Sequence, residues 1–293
     1  MSTLRRWLSL VRFSHSIFAL PFALQGAWLA AGGMPAPRVL ALVVVCAVAA
    51  RTAAMAFNRL VDRRIDAANP RTATRELPAG LLSAGSVTLL TALSAAIFVA
   101  GSFTLSPLAG WLSFPVLAVL LGYSLVKRVS WAAHLVLGLA LGLAPLGAWI
   151  AVRGDLAGDL LPILLMALAV LTWVAGFDLI YACQDADFDR DAGLHSIPAR
   201  FGQAGALRLS RILHAVTVLA LALVAWRAEL GWIYAASILA TAGLLGWEQS
   251  LVRPGDLSRV DLAFFTLNGW VGVALFVGMA LDMALLGTGG SLA

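Results

Sequence analysis

Asn58-Arg59-Leu60-Val61-Asp62-Arg63-Arg64-Ile65-Asp66 stands where a long apolar run meets a basic loop. On an α-helix, Asn58, Asp62 and Asp66 recur every four residues and line one face. Two carboxylates and an amide oxygen in a column are hard oxygen donors. They suit Mg²⁺, which keeps some of its waters while also holding phosphate oxygens. A solvated helix end laced with Arg–Asp pairs would carry the same letters, so this stretch needs a second observation. Asp178 to Asp191 supplies it: Asp185 and Asp189 repeat the four-residue spacing, again at the end of an apolar run. Two such columns facing each other make a pyrophosphate site.

Composition agrees with a chain built around the membrane. Of 293 residues, 61% are hydrophobic and 12% charged, and the mean hydropathy is +0.92. These values are far from a soluble average and indicate an all-α polytopic membrane protein. The first apolar run is long enough to span and lacks a small-residue cleavage site, so it reads as an anchor rather than a secretory signal. Cys46 and Cys183 have neither metal-ligand spacing nor a sequence neighbour to pair with. The net charge of +5 is explained by membrane sidedness and anionic lipid, and calls for no nucleic acid.

Nine runs have the roughly 20 residues needed to cross a bilayer: 16–33, 38–58, 84–105, 107–126, 132–152, 159–182, 210–228, 230–251 and 261–286. With the N-terminus in the cytoplasm, sixteen of the twenty lysines and arginines fall on the cytoplasmic side and three opposite, leaving Arg51 inside a span. This positive-inside bias puts both acidic columns at the cytoplasmic face of a bacterial inner membrane. The columns close the second and sixth spans, and each is followed by a similar polar loop, Arg71–Gly80 and Gly193–Gly202. The expected architecture is one domain over 1–293. It consists of two four-helix halves, about 10–130 and 131–252, plus a ninth helix, with the site between the halves.

Internal repeats with an interfacial site also occur in carriers, but a carrier should place its ionisable groups near the bilayer midplane. Here the acids crowd the membrane boundary. Arg71, Arg75, Lys127 and Arg128 surround them and suit phosphate oxygens not held by metal. A pyrophosphate leaving group beside apolar helices implies a lipid-tailed donor, a polyprenyl diphosphate. Metal and cations would stabilise the charge that develops on the leaving group, and an intramembrane pocket would keep the allylic cation from water.

Asn58-Arg59-x-x-Asp62-x-x-x-Asp66, paired with Tyr181-Ala182-x-x-Asp185-x-x-x-Asp189, resembles the UbiA superfamily of intramembrane prenyltransferases from about Arg12 to the ninth span. The resemblance implies that Asn58, Asp62, Asp66, Asp185 and Asp189 hold two Mg²⁺ and the diphosphate. It sets Asp178 one or two turns up the same helix, with Lys127, Arg71 and Arg75 supporting phosphate. Asp62, Asp185 and Asp178 are then the expected catalytic carboxylates. A CDP-alcohol phosphotransferase is set aside because its Asp-Gly-x-x-Ala-Arg signature is missing.

Arg51 lies seven residues before Asn58, hence on the same helix face and deeper in the bilayer. An intramembrane arginine by default faces a cavity and has a partner. By resemblance that partner is the carboxylate of a hydroxy-aryl acceptor; a structural pair with Asp178 or Glu248 is the alternative. Tyr123 and Tyr181 are candidates to steady a carbocation or carry a hydrogen bond, against the plainer reading as interfacial aromatics. His134 and His195 read as residues that hydrogen-bond backbone, and Asp187 and Asp191 as solvated charges. In the ubiquinone branch the acceptor is 4-hydroxybenzoate, and a first-span arginine, here Arg12, is expected among the substrate-binding residues. The stretch Arg12–Phe22, with Arg51–Arg59, also resembles a subgroup linked to futalosine-route menaquinone, whose acceptor would be a dihydroxynaphthoate. The expected function is therefore Mg-dependent polyprenyl transfer to 4-hydroxybenzoate, with naphthoate second and a membrane transporter or lipid-binding protein as the non-enzyme alternative.

Overall fold

Ala-, Leu- and Val-rich runs bounded by serines and prolines fold as helices throughout. In the computed structural model, which describes residues 3–11 and 16–289, no β-strand forms among the described residues. In chain order the helices are α1 (Thr3–Leu10), α2 (Ser16–Ala31), α3 (Pro37–Ala68), α4 (Ala84–Leu105), α5 (Pro107–Val126) and α6 (Ala133–Arg153). They continue with α7 (Leu161–Ala182), α8 (Ala186–Asp191), α9 (Ile197–Arg227), α10 (Trp232–Ser250) and α11 (Asn268–Leu286). Ser83, Ser106 and Ser196 cap α4, α5 and α9 by accepting a backbone N–H three residues on. Pro37, Pro107, Pro162 and Pro198 stand in first turns, where a missing N–H costs nothing.

Seven segments are long and apolar enough to cross a membrane by length and composition: Pro37–Ala68, Ala84–Leu105, Pro107–Val126, Ala133–Arg153, Leu161–Asp191, Ile197–Arg227 and Leu262–Leu286. The other two expected spans are also helices in the expected places, but α2 has only 16 residues and α10 does not reach the same standard. Exposed Leu89, Trp111, Ile212, Leu219 and Leu239 give the helices an apolar outer surface, as hydrocarbon requires.

Two helices outrun their expected spans. α3 continues ten residues past 58, because a helix satisfies its own backbone whether the solvent is lipid or water, and α9 starts at Ile197 rather than 210, with a break at Gly202 (φ 71°, ψ 169°) that divides it into a short first piece and a long second one. At 1.5 Å per residue α3 is about 48 Å long, against roughly 30 Å of hydrocarbon. Its last turns project beyond the apolar layer and carry the first acidic column.

Packing is close where α6 crosses α7. A Cβ at Gly138 would lie 2.3 Å from Leu171 O and one at Gly142 2.7 Å from Ala167 O. These two glycines, four apart, let the backbones touch. α7 is enclosed by α6, α9 and α2, and Trp173, Val174, Phe177 and Ile180 on it are buried. The segment Leu262–Leu267, ahead of α11, is a π-helix.

Candidate active site

The first acidic column forms as expected. Asn58, Asp62 and Asp66 lie on the continuous α3, and all three line a cavity of about 310 Å³. The second column is built differently. The sequence reading puts Asp185 and Asp189 on the end of one helix, but α7 stops at Ala182, a 3₁₀ turn covers Cys183–Asp185, and Asp189 belongs to the short α8. The run Asp185-Ala186-Asp187-Phe188-Asp189 favours a fresh helix start, because aspartates compete with helical backbone bonds and are stabilised at N-termini. Both carboxylates nevertheless line the same cavity as the first column.

The loop after α3 folds back over the site through Asn69. The Asn69 side-chain oxygen accepts Arg71 N–H at 2.9 Å, and its amide nitrogen donates to Asp185 Oδ1 at 3.0 Å. Thr72 Oγ1 donates to Asp66 O at 3.0 Å. Arg71 and Arg75 are thereby carried over the acids. The Arg71 guanidinium forks onto Asp185, with Nε to Oδ1 at 2.8 Å and Nη2 on Oδ2, while Nη1 donates to Tyr181 Oη at 2.9 Å. Burial works against the Arg71 charge, but hydrogen bonding and charge from Asp185, with Tyr181, outweigh it and raise the pKa further. Arg75 Nη1 meets Asp66 Oδ1 at 2.7 Å.

Asp62 is almost fully buried and lies between two cations, Lys127 Nζ at 2.8 Å and Arg128 Nη2 at 3.0 Å. Asn58 Nδ2 donates to Asp62 and to Ser124 Oγ, at 3.2 and 3.3 Å, which leaves its amide oxygen as the free acceptor. His195 N donates to Lys127 O at 2.7 Å, so the polar loop after α8 is held to the end of α5.

Among the described residues, no three His, Cys, Asp or Glu side chains converge tightly enough to cage an ion alone. Separate carboxylates on a shared cavity match Mg²⁺, which takes one or two of them and completes its shell with waters and substrate phosphate. The donor set therefore fits the ion expected from the sequence.

Asp178 lines the same cavity, but its partner is His134, whose Nδ1 lies 2.7 Å from Asp178 Oδ2. His134 also bonds backbone, as expected, with Ile197 N–H donating to its Nε2 at 3.5 Å, so it ties the carboxylate to the start of α9. Among the described residues Arg51 makes no ion pair: Asp178 is taken by His134, and Asn268 donates to Glu248. The buried Arg51 Nε has no hydrogen-bond partner. Arg51 and Tyr123 stand where the polar cavity meets a second, apolar chamber of about 410 Å³ among α2–α6, lined largely by alanines and leucines. Arg12 lies outside the described residues. Asp187 is solvated, as expected, and pairs with Arg190; Cys46 and Cys183 are free and buried.

Sequence reasoning missed Asn69, Ser124 and the aromatic lining of Phe18, Phe177 and Phe264. Asn69-Pro70, just past an acidic helix end, is a turn signal that the sequence did carry; nothing marks a phenylalanine within an apolar run.

Comparison with known proteins follows this geometry. The model of the UbiA prenyltransferase family matches residues 19–271. A 4-hydroxybenzoate octaprenyltransferase of Pseudomonas aeruginosa (strain UCBPP-PA14) is 33% identical over 88% of this chain and 86% of its own length. One from Sodalis glossinidius is 31% identical over 94% and 95%. The apo structure of a UbiA homolog from Aeropyrum pernix K1 superposes with a TM-score of 0.83 at 38% identity, covering 92% of this chain and 98% of that one. A UbiA homolog from Archaeoglobus fulgidus, bound to DMAPP and Mg²⁺, has the same fold at 19% identity, with a TM-score of 0.76 over 96% and 99%. With its helices, its paired acidic clusters and these matches taken together, the chain belongs to the UbiA prenyltransferase family.

Proposed function

We propose that this prenyltransferase moves a polyprenyl group from polyprenyl diphosphate to the ring of 4-hydroxybenzoate, releasing diphosphate, in ubiquinone biosynthesis. One observation carries the reading: acids from α3, from the turn after α7 and from α8, with the basic groups that meet them, share one polar cavity, which meets an apolar chamber at Arg51. A diphosphate with a lipid tail has that polarity. In this reading Asn58, Asp62, Asp66, Asp185 and Asp189 hold two Mg²⁺, whose chemistry is to neutralise the leaving diphosphate. Arg71, Arg75, Lys127 and Arg128 give up their carboxylates to metal and turn to phosphate oxygens.

The allylic C–O bond breaks with its electron pair on diphosphate. The ring carbon ortho to the phenol supplies the pair for the new C–C bond, and that carbon's proton passes to Asp178, held in place by His134. Arg51, which makes no ion pair among the described residues, takes the acceptor carboxylate, and Tyr123 beside it steadies the acceptor. Arg12 contributes a further substrate contact.

The same reading makes the chain one domain of two repeat-related halves with nine helices crossing a bacterial inner membrane and the acids facing the cytoplasm. A dihydroxynaphthoate is the second acceptor considered, favoured by the roomy apolar chamber beside Arg51. The test uses membranes holding the protein, Mg²⁺ and a radiolabelled polyprenyl diphosphate, with each acceptor in its own tube. Product from 4-hydroxybenzoate alone is expected; product from the naphthoate alone moves the enzyme to menaquinone synthesis. Asp62→Ala and Asp185→Ala should each abolish Mg²⁺-dependent diphosphate release, and activity surviving either change removes the two-cluster site.

A further inference from the structure

Beside the acids the polar cavity turns aromatic. Tyr181, whose hydroxyl accepts from Arg71, packs against Phe264 with ring centroids 4.3 Å apart and planes tilted by 32°. Phe264 in turn meets Phe177 at 5.1 Å and Phe18 at 5.9 Å, both nearly edge-on. All four rings line the cavity. They begin at Tyr181, the residue that touches the Arg71–Asp185 pair.

Phe264 reaches this wall from an unusual backbone. It lies in the π-helix Leu262–Leu267, whose extra residue offsets the chain before it from the helical face set by α11 after it. A π-turn leaves carbonyls short of regular partners, and here a side chain serves one of them. Asn268 Nδ2 donates to Ala263 O at 3.0 Å and also to Glu248 Oε1 at 2.9 Å, while Asn268 Oδ1 accepts from Trp173 Nε1 at 2.6 Å. Indole N–H can only donate, which fixes the amide orientation: oxygen to Trp173, nitrogen to the two acceptors. Asn268, Glu248 and Trp173 are each 0% exposed. Glu248 Oε2 is buried without a hydrogen-bond partner among the described residues, and a polar cluster left so in an apolar core is costly to assemble unless it specifies a geometry. The geometry it specifies is the turn that carries Phe264.

We propose that Phe264 is a further catalytic residue of the transfer, its ring stabilising the allylic cation together with Tyr181 and Phe177, and that Asn268 is the positioning residue that holds it. This rests on the prenyl-transfer reading above. When the C–O bond breaks and its electron pair leaves with diphosphate, the carbon fragment is positive and has no counter-charge of its own. Aromatic faces attract such a cation without supplying a nucleophile to trap it. A desolvated cation–π contact of about 2 kcal/mol is worth roughly thirtyfold in rate.

The test compares Phe264→Leu, Phe264→Tyr and Asn268→Leu in the full chain with the parent, using Mg²⁺, a polyprenyl diphosphate and 4-hydroxybenzoate or the naphthoate. An unreactive thio-diphosphate analogue reports donor binding. Phe264→Leu should lower kcat about thirtyfold with analogue affinity within threefold, and Phe264→Tyr should restore most of the rate. A donor fluorinated on the allylic unit, which ionises less readily, should slow Phe264→Leu more than it slows the parent. Asn268→Leu should reproduce the kcat loss, and the double variant should be no slower than Phe264→Leu alone. If Asn268→Leu fails to fold, the Phe264 pair and the fluorinated donor still decide the matter. Equal rates in Phe264→Leu and parent, or equal losses of rate and analogue binding, overturn the aromatic role. A parent that transfers to neither acceptor overturns the prenyl-transfer reading and this proposal with it.

Discussion

Asp185 is met by a guanidinium, not by a point charge. Arg71 uses two nitrogens on the carboxylate and a third on Tyr181 Oη, so its plane is fixed by three contacts from two elements. Lysine can supply the charge but not the fork. Arg71→Lys should therefore behave as a loss, lowering kcat/KM for the donor roughly tenfold or more, the scale of a charge-assisted contact. Steady-state kinetics across donor concentrations measure it, and parent-like values would mean that only charge matters there. Asp178 differs because its partner is the His134 ring and no lysine or arginine. If it takes the ring proton, Asp178→Asn should cut kcat by two to four orders of magnitude, the usual reach of a positioned base, with analogue binding unchanged. A replacement of deuterium for hydrogen at the attacked carbon should then slow the variant more than the parent, since proton removal becomes the slow step. No isotope sensitivity in the variant would assign Asp178 to structure.

At the scale of elements, the α6–α7 crossing is set by two glycines. A Cβ at Gly138 would stand 2.3 Å from a backbone oxygen that cannot swing aside, so Gly138→Ala should cost about 1–3 kcal/mol of stability, as overpacking does. Thermal unfolding in detergent reads this directly, with Gly147→Ala as the control, since a Cβ there meets nothing within 4 Å. Equal midpoints for the two variants would mean that the helices separate at little cost. Element type and order were legible because long apolar runs broken by Ser, Pro and charge have one solution in a bilayer. The Asn58–Asp66 column was legible because a four-residue period survives on an unbroken helix. Asp185 and Asp189 were legible as a pair of acids but not as a break in α7, because the decision lies between competing hydrogen bonds that period does not record. Phe264 was invisible for a related reason. Its turn is held by Asn268, Glu248 and Trp173 from three different segments, and only the assembled fold brings them together.

At the scale of the whole molecule, the interior is unevenly filled. Trp173, Leu221, Val224, Tyr234 and Leu275 form a dense core among α7, α9, α10 and α11. The apolar chamber lies among α2 to α6 and runs along α6 from Leu137 to Ala151, about 21 Å at 1.5 Å per residue. Leu137 and Leu141 also line the polar cavity, so the chamber begins where the diphosphate site ends. If the donor tail runs into this chamber, a ring placed one turn beyond Leu141 should block long tails and spare short ones. Ala144→Phe puts it there, on a helix that tolerates the larger side chain because the space beside it is open. Transfer from dimethylallyl diphosphate should stay within threefold of the parent, while transfer from a long polyprenyl diphosphate falls tenfold or more, chiefly through KM. A competition assay with both donors in one tube measures the ratio free of differences in protein amount. Equal loss at both lengths would mean a damaged site, and an unchanged ratio would mean that the tail leaves between helices into lipid, with the chamber left to the acceptor.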